Sequence, residues 1–245
     1  MKRVYLSCVL LLLGLLTIQA QERNEQISAD EIIDSYLEAI GGVENWQALT
    51  STRMEVTMLQ MGMNMQGVMI QAPPNKQRIE INAMGREIIQ AYDGETAWTI
   101  NPFAGGTEAQ LMPPESAEQF TRQSYENDFI NYAEKGHSIA YLGQQEVEGV
   151  KCYELKMTDS DGLESFNYFD SETMLLIMQK TYIPNGQLAG EAVETYFSNY
   201  QENDGLWVPT LTESKSGGST QLSITINKVE YNLEMDESVF AFPKE

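Results

Sequence analysis

Few residues in this chain could carry chemistry. His137 is the only histidine, and it sits in the run Glu134-Lys135-Gly136-His137-Ser138. A serine or cysteine nucleophile activated by an imidazole would have to use it, yet nothing beside it resembles a nucleophile turn or a metal-binding helix. Of the two cysteines, Cys8 falls in an apolar N-terminal run. Cys152 lies in a stretch of apolar alternation, where a thiol serves as a small core hydrophobe. One histidine and one remaining cysteine cannot build the usual zinc sites, and no phosphate-cradling glycine loop is present. Asp159, Asp161 and Glu164 suggest calcium, but they lack the full ligand spacing of an EF-hand loop and fit a solvated β-turn. Carboxylates abound, so a pair for glycoside hydrolysis could arise by chance alone. The expectation is a protein without catalytic residues, metal or cofactor, and not an enzyme.

Methionine is the informative residue type. Met54, Met58, Met61, Met63, Met65, Met69 and Met84 crowd one early stretch. The thioether side chain is flexible and polarisable and lines surfaces that fit variable apolar shapes. As a group on adjacent strands these residues point to an adaptable apolar cavity, with ordinary core filling as the alternative.

The elements that must position them are legible in outline. Ser28 and Glu31 form a capping box, Ile27 and Ile32 a hydrophobic staple. Ile32, Ile33, Tyr36, Leu37 and Ile40 recur at helical spacing until Gly41-Gly42 stops the helix. A short helical piece, 43–49, carries Trp46. From Thr52 the period becomes two: Met54, Val56 and Met58 face one way, Arg53, Glu55 and Thr57 the other. Further strands are predicted over 66–72, 77–83, 87–92 and 97–100. A loop then covers 102–114, and a second helix runs from Glu115 to about Lys135. Seven more strands follow, separated by turns such as Glu148-Gly149 and Asn203-Asp204-Gly205. Short turns favour antiparallel neighbours. The pattern predicts a mainly β (α+β) fold: about eleven antiparallel strands in a strongly curved, incomplete β-barrel, with helices covering the concave face.

The N-terminus has the three parts of a secretory signal peptide: Lys2 and Arg3, an apolar run from Val4 to Ile18, and a small residue, Ala20, before Gln21-Glu22-Arg23. That run is shorter than the roughly 20 residues that span a bilayer. Residues 1–20 are read as a cleaved signal and 21–245 as a single domain. The 15 basic residues less Lys2 and Arg3 leave 13 against 36 acidic ones, a net charge of −23. Such a surface repels nucleic acid and anionic headgroups. Any lipid would be held by its tail.

The stretch Tyr92-Asp93-Gly94-Glu95-Thr96-Ala97-Trp98-Thr99-Ile100-Asn101-Pro102-Phe103 resembles the DG-x-x-x-W-x-x-NP signature of the LolA-like outer-membrane lipoprotein-sorting proteins, in the variety common in Bacteroidetes-type bacteria. Other pieces match in the same order: Ala39-Ile40-Gly41-Gly42, the Met-rich hairpin, Pro74-Asn75-Lys76, Asp170-Ser171-Glu172-Thr173, Leu206-Trp207-Val208-Pro209 and Val239-Phe240-Ala241-Phe242-Pro243. The resemblance implies an incomplete barrel capped by helices whose cavity holds lipoprotein acyl chains. It also implies an arginine that gates the cavity. Arg53, Arg78 and Arg86 lie on early strands, but Arg53 and Arg78 fall on the polar side of their alternation.

Together these observations predict a monomeric periplasmic carrier for acyl chains of lipoproteins or related lipids, exchanging them with inner- and outer-membrane donor and acceptor proteins. The expected lining is Met54, Val56, Met58, Met69, Ile79, Ile81 and Trp98 from the sheet, with Ile33, Tyr36 and Leu37 from the first helix. A protein-interaction or lipid-sensing module on the same fold is the alternative, and a carboxylate hydrolase the third reading.

Overall fold

A computed structural model of the chain describes residues 27–122, 124–186 and 188–243. The expected signal peptide lies outside the described residues. The first helix, α1 (Ala29–Ala39), begins as its sequence requires. The Ser28 backbone N–H donates to Glu31 Oε2 at 2.7 Å, and the Glu31 N–H donates to Ser28 Oγ at 3.2 Å. Each side chain thereby satisfies a backbone donor that the first turn leaves free. The chain leaves α1 through Gly41, at φ 114°, whose missing side chain lets the Gly205 carbonyl approach; a Cβ there would lie 2.3 Å from that oxygen. A short α2 (Val43–Gln47) follows and buries none of its residues.

Thirteen strands form one antiparallel sheet. They are β1 (Thr52–Gln60), β2 (Met63–Ala72), β3 (Lys76–Ala83), β4 (Arg86–Tyr92), β5 (Ala97–Ile100), β6 (Gln110–Leu111), β7 (Ser138–Val147), β8 (Val150–Thr158), β9 (Glu164–Asp170), β10 (Leu176–Tyr182), β11 (Ala192–Asn203), β12 (Leu206–Ser216) and β13 (Ser219–Tyr231). The spatial order is β6-β5-β4-β3-β2-β1-β13-β12-β11-β10-β9-β8-β7. The two ends of the strand sequence therefore meet in mid-sheet, where β1 pairs with β13.

The mainly β reading holds, but the strongly curved, incomplete barrel of about eleven strands is corrected. Among the described residues the sheet has thirteen strands, is open, and is not strongly curled: there β6 pairs only with β5, and β7 only with β8. One strand, β6, two residues long, lies inside the stretch expected to be loop. It is too short to carry pairing onward, and the described residues between Met112 and His137 form no strand that could bridge to β7. Wide sheets can remain open in this way. The second helix is also shorter than predicted. α3 spans Pro114–Thr121, and residues 128–136 form turns instead of helix. Asn131 adopts φ 50° there, and the Asn127 side chain accepts from the Phe129 N–H, a local bond that competes with helix.

The register places the early apolar strand residues on one face of the sheet. Met54 lies opposite Val229 on β13 and Met69 on β2; Met69 lies opposite Ile79 on β3. Over β8–β10 the same face carries Leu155, Met157, Phe169 and Leu176, on which α1 packs Ile32, Ile33, Tyr36, Leu37 and Ile40. Phe129 and Ile130 close this core. The Tyr36, Phe129 and Phe169 rings meet edge to face at 5.1–5.6 Å.

Candidate ligand-binding site

Where α1 stops, the inner face opens into a cavity of about 570 Å³. Its floor is mid-sheet: Met54 on β1, Ile226, Val229 and Tyr231 on β13, and Val208 and Pro209 on β12. Trp46 and Leu49 roof it beside Pro73 and Pro74, and Tyr125, Glu126 and Asn127 form a side wall. Trp46 is held in place by Nε1, which donates to the Ile40 carbonyl at 3.1 Å. Gln47 donates to Glu126 at 3.0 Å, and Lys135 pairs with Glu126 at 2.8 Å, so the side wall is tied to α2 and to the turns beyond. The cavity has a polar pole. Tyr125 and Thr52 share a hydrogen bond at 3.3 Å. The Tyr231 hydroxyl is sealed from solvent with no hydrogen-bond partner among the described residues. Burial pushes its pKa up to about 12, so it stays a neutral donor at any physiological pH.

A second space, about 1050 Å³, lies across the Tyr125–Asn127 wall. It is bounded by Gln90, by Gln119 and Phe120 on α3, by Ser165 on β9 and by Gln179 and Thr181 on β10, with Asp128, Lys135, His137, Asp159 and Asp161 around it.

Of the residues expected to line an apolar site, Met54 is in the first cavity. Met69, Ile79, Ile81, Val56 and Met58 share its face of the sheet without reaching the cavity wall. Ile33, Tyr36 and Leu37 belong to the packed core under α1. Trp98 stands on the opposite face, level with Ala91 and Arg78. Fully buried, it donates from Nε1 to the Phe240 carbonyl at 2.8 Å, and the Arg78 guanidinium lies 5.5 Å from its ring centre. Arg53 and Arg78 share that opposite face and are paired with carboxylates, at 2.9 and 3.0 Å for Arg53 and 2.6 Å for Arg78. Arg86 lies over the Phe103 ring. The wall residues that sequence reasoning missed, Val208, Ile226, Val229 and Tyr231, come from strands about 170 positions along the chain from β1 and become neighbours only through the β1–β13 pairing.

Neither potential catalytic side chain is equipped for catalysis. His137 Nδ1 accepts from the Ser160 backbone N–H at 3.2 Å. Cys152 is fully buried, and burial pushes its thiol up to about 11, away from the reactive thiolate. No group of three or more His, Cys, Asp or Glu among the described residues could hold a metal ion. No helix among the described residues is long and apolar enough to cross a membrane.

No protein-family model matches the chain, and no curated protein is similar to it in sequence. Solved structures do resemble it. A DUF1329 family protein from Desulfovibrio piger is 13% identical, with a TM-score of 0.59 over 88% of this chain and 98% of that one. A LolA superfamily protein from Nitrosomonas europaea is 12% identical, with a TM-score of 0.56 over 88% and 98%. A putative outer membrane lipoprotein-sorting protein domain from Vibrio parahaemolyticus is 11% identical, with a TM-score of 0.56 over 86% and 94%. At these identities the likeness establishes the fold alone. The chain has a LolA-like fold.

Proposed function

We propose that this protein is a periplasmic carrier that takes up an acyl chain of a lipoprotein or related lipid and delivers it toward the outer membrane. The observation that supports this reading is the mid-sheet cavity, whose walls are set by Trp46, Leu49, Met54, Val208, Ile226 and Val229. Its volume falls within the roughly 300–1,000 Å³ usual for small-ligand sites. Each buried methylene contributes about 0.8 kcal/mol, so a chain of around 16 carbons gains roughly 10 kcal/mol before the costs of ordering it. A surface with a net charge of −23 once Lys2 and Arg3 are removed offers anionic headgroups no attraction, so affinity resides in the tail.

The ordered motifs of the sequence place the protein, on our reading, beside the Bacteroidetes-type sorting carriers. The Vibrio parahaemolyticus fold neighbour, described as a putative lipoprotein-sorting domain, supports the same role. Export through a signal cleaved near Ala20 puts the chain between the two membranes, where it binds lipid without catalysing a reaction. Native mass spectrometry of protein purified from its own envelope tests the proposal. We expect a bound lipid and uptake of a fluorescent fatty acid in the empty form; a chain free of lipid that also ignores the probe refutes it.

A further inference from the structure

The inner face does not stay apolar across its width. Over β9–β12 four residues stand in register: Asn167 opposite Gln179, Gln179 opposite Thr195, and Thr195 opposite Ser214. Gln179 Nε2 donates to Asn167 Oδ1 at 2.9 Å, Asn167 Nδ2 to Ser165 Oγ at 3.0 Å, and the Thr195 and Ser214 hydroxyls share a bond at 3.3 Å. Ser165 in turn lies opposite Thr181. Asn167 is fully buried and Ser165 nearly so. Buried amides and hydroxyls cost stability unless satisfied, and apolar residues of similar size would pack here at no such cost. A site meant only for hydrocarbon gains nothing from this floor.

The ends of the chain of bonds are unspent. Neither the Ser165 hydroxyl proton nor Gln179 Oε1 is engaged by another described residue. Both residues line the second cleft, and Gln179 Oε1, unpartnered yet not sealed, is open to it. Gln90 and Gln119 line the same cleft, and Phe120 adds an apolar ring. The cations nearby are already committed. Arg122 pairs with Glu118 at 2.7 Å and Asp161 at 3.2 Å, and Lys135 with Glu126 at 2.8 Å. An anion would find no free positive partner and several carboxylates.

We propose that this cleft is a second binding site, separate from the acyl cavity, for a neutral polyhydroxylated ligand, that is, an uncharged sugar. Amide and hydroxyl groups that both donate and accept match sugar hydroxyls, and the Phe120 ring matches the C–H surface of a pyranose. Saturation-transfer NMR of the full exported chain with maltose, cellobiose, chitobiose and lactose tests this, with spermidine and glucuronate as charged probes. At least one disaccharide should bind. Gln179→Leu and, from the opposite wall, Gln90→Leu should each weaken it about tenfold, the loss of one to two hydrogen bonds, while fatty-acid uptake per folded molecule stays near wild type; the thermal midpoint should fall for Gln179→Leu, which leaves Asn167 Oδ1 without its donor, and hold for Gln90→Leu. The proposal is overturned if none of the four sugars binds, if both variants bind as well as wild type, or if a charged probe occupies the cleft in their place.

Discussion

Two stretches of one sheet face have opposite fates. Over β8–β10 the long helix α1 lays five buried apolar side chains onto Leu155, Met157, Phe169 and Leu176, and these pack into one core directly beneath it. Over β12, β13, β1 and β2 the cover is α2, five residues long with none buried, and a cavity is left. The difference lies in the cover: a capped amphipathic helix of three turns can fill a sheet's face, whereas a single turn that buries none of its residues cannot. The filled half carries the largest buried cluster, and the open half leaves a cavity.

This contrast predicts different responses to the same kind of change. Phe169→Ala in the filled half should cost about 3–5 kcal/mol, since it removes a fully buried ring against which Tyr36 and Phe129 pack; urea unfolding measures it, and a cost below about 1 kcal/mol would break the comparison. Acyl uptake per folded molecule should persist. On the opposite face, Trp98→Phe should cost about 1–3 kcal/mol by leaving the buried Phe240 carbonyl without its donor, again with uptake intact; lost uptake would bring Trp98 back into the site. Val229→Trp should do the reverse. The ring enters empty space, so stability should move by less than about 1 kcal/mol, while fatty-acid uptake should fall at least about tenfold, equivalent to 1.4 kcal/mol or more.

The sequence exposes the filled half better than the open one, for physical reasons. α1 is written locally: the Ser28–Glu31 cap, a 3.6-residue period and a glycine stop lie within fifteen positions of one another. The alternation of Met54, Val56 and Met58 likewise reveals which residues of β1 share a face. The cavity, however, depends on β13 pairing with β1, a contact that no local pattern encodes, so Val229 and Tyr231 could not be linked to Met54 in advance. The β9 segment Ser165-Phe166-Asn167-Tyr168-Phe169 is a harder case. Hydrophobicity alone would turn Phe166 and Tyr168 inward, yet Ser165 and Asn167 face in while Tyr168 bonds Glu154 on the other side. A partner across the sheet, Gln179, makes that inversion affordable. The barrel expectation failed because closure depends on the edges, and β6 is too slight a feature to be seen in a sequence.

The smallest effect tests whether the α1 cap contributes to the filled half at all. The Glu31 carboxyl is held below its ordinary value of 4.5, first by the Ser28 backbone N–H and then by the Ser28 hydroxyl. A group whose pKa is depressed by folding stabilises the fold above its unfolded pKa and loses that contribution as pH falls through the folded pKa. Wild type should therefore exceed Glu31→Gln in stability at pH 6, and the two should converge as pH drops below 4.5, with Gln supplying a hydrogen-bond acceptor but no charge. Thermal midpoints of the pair between pH 7 and 3 measure this. Parallel curves with a constant offset would mean that the carboxylate acts by shape and not by charge, and that the filled half rests on its apolar contacts alone.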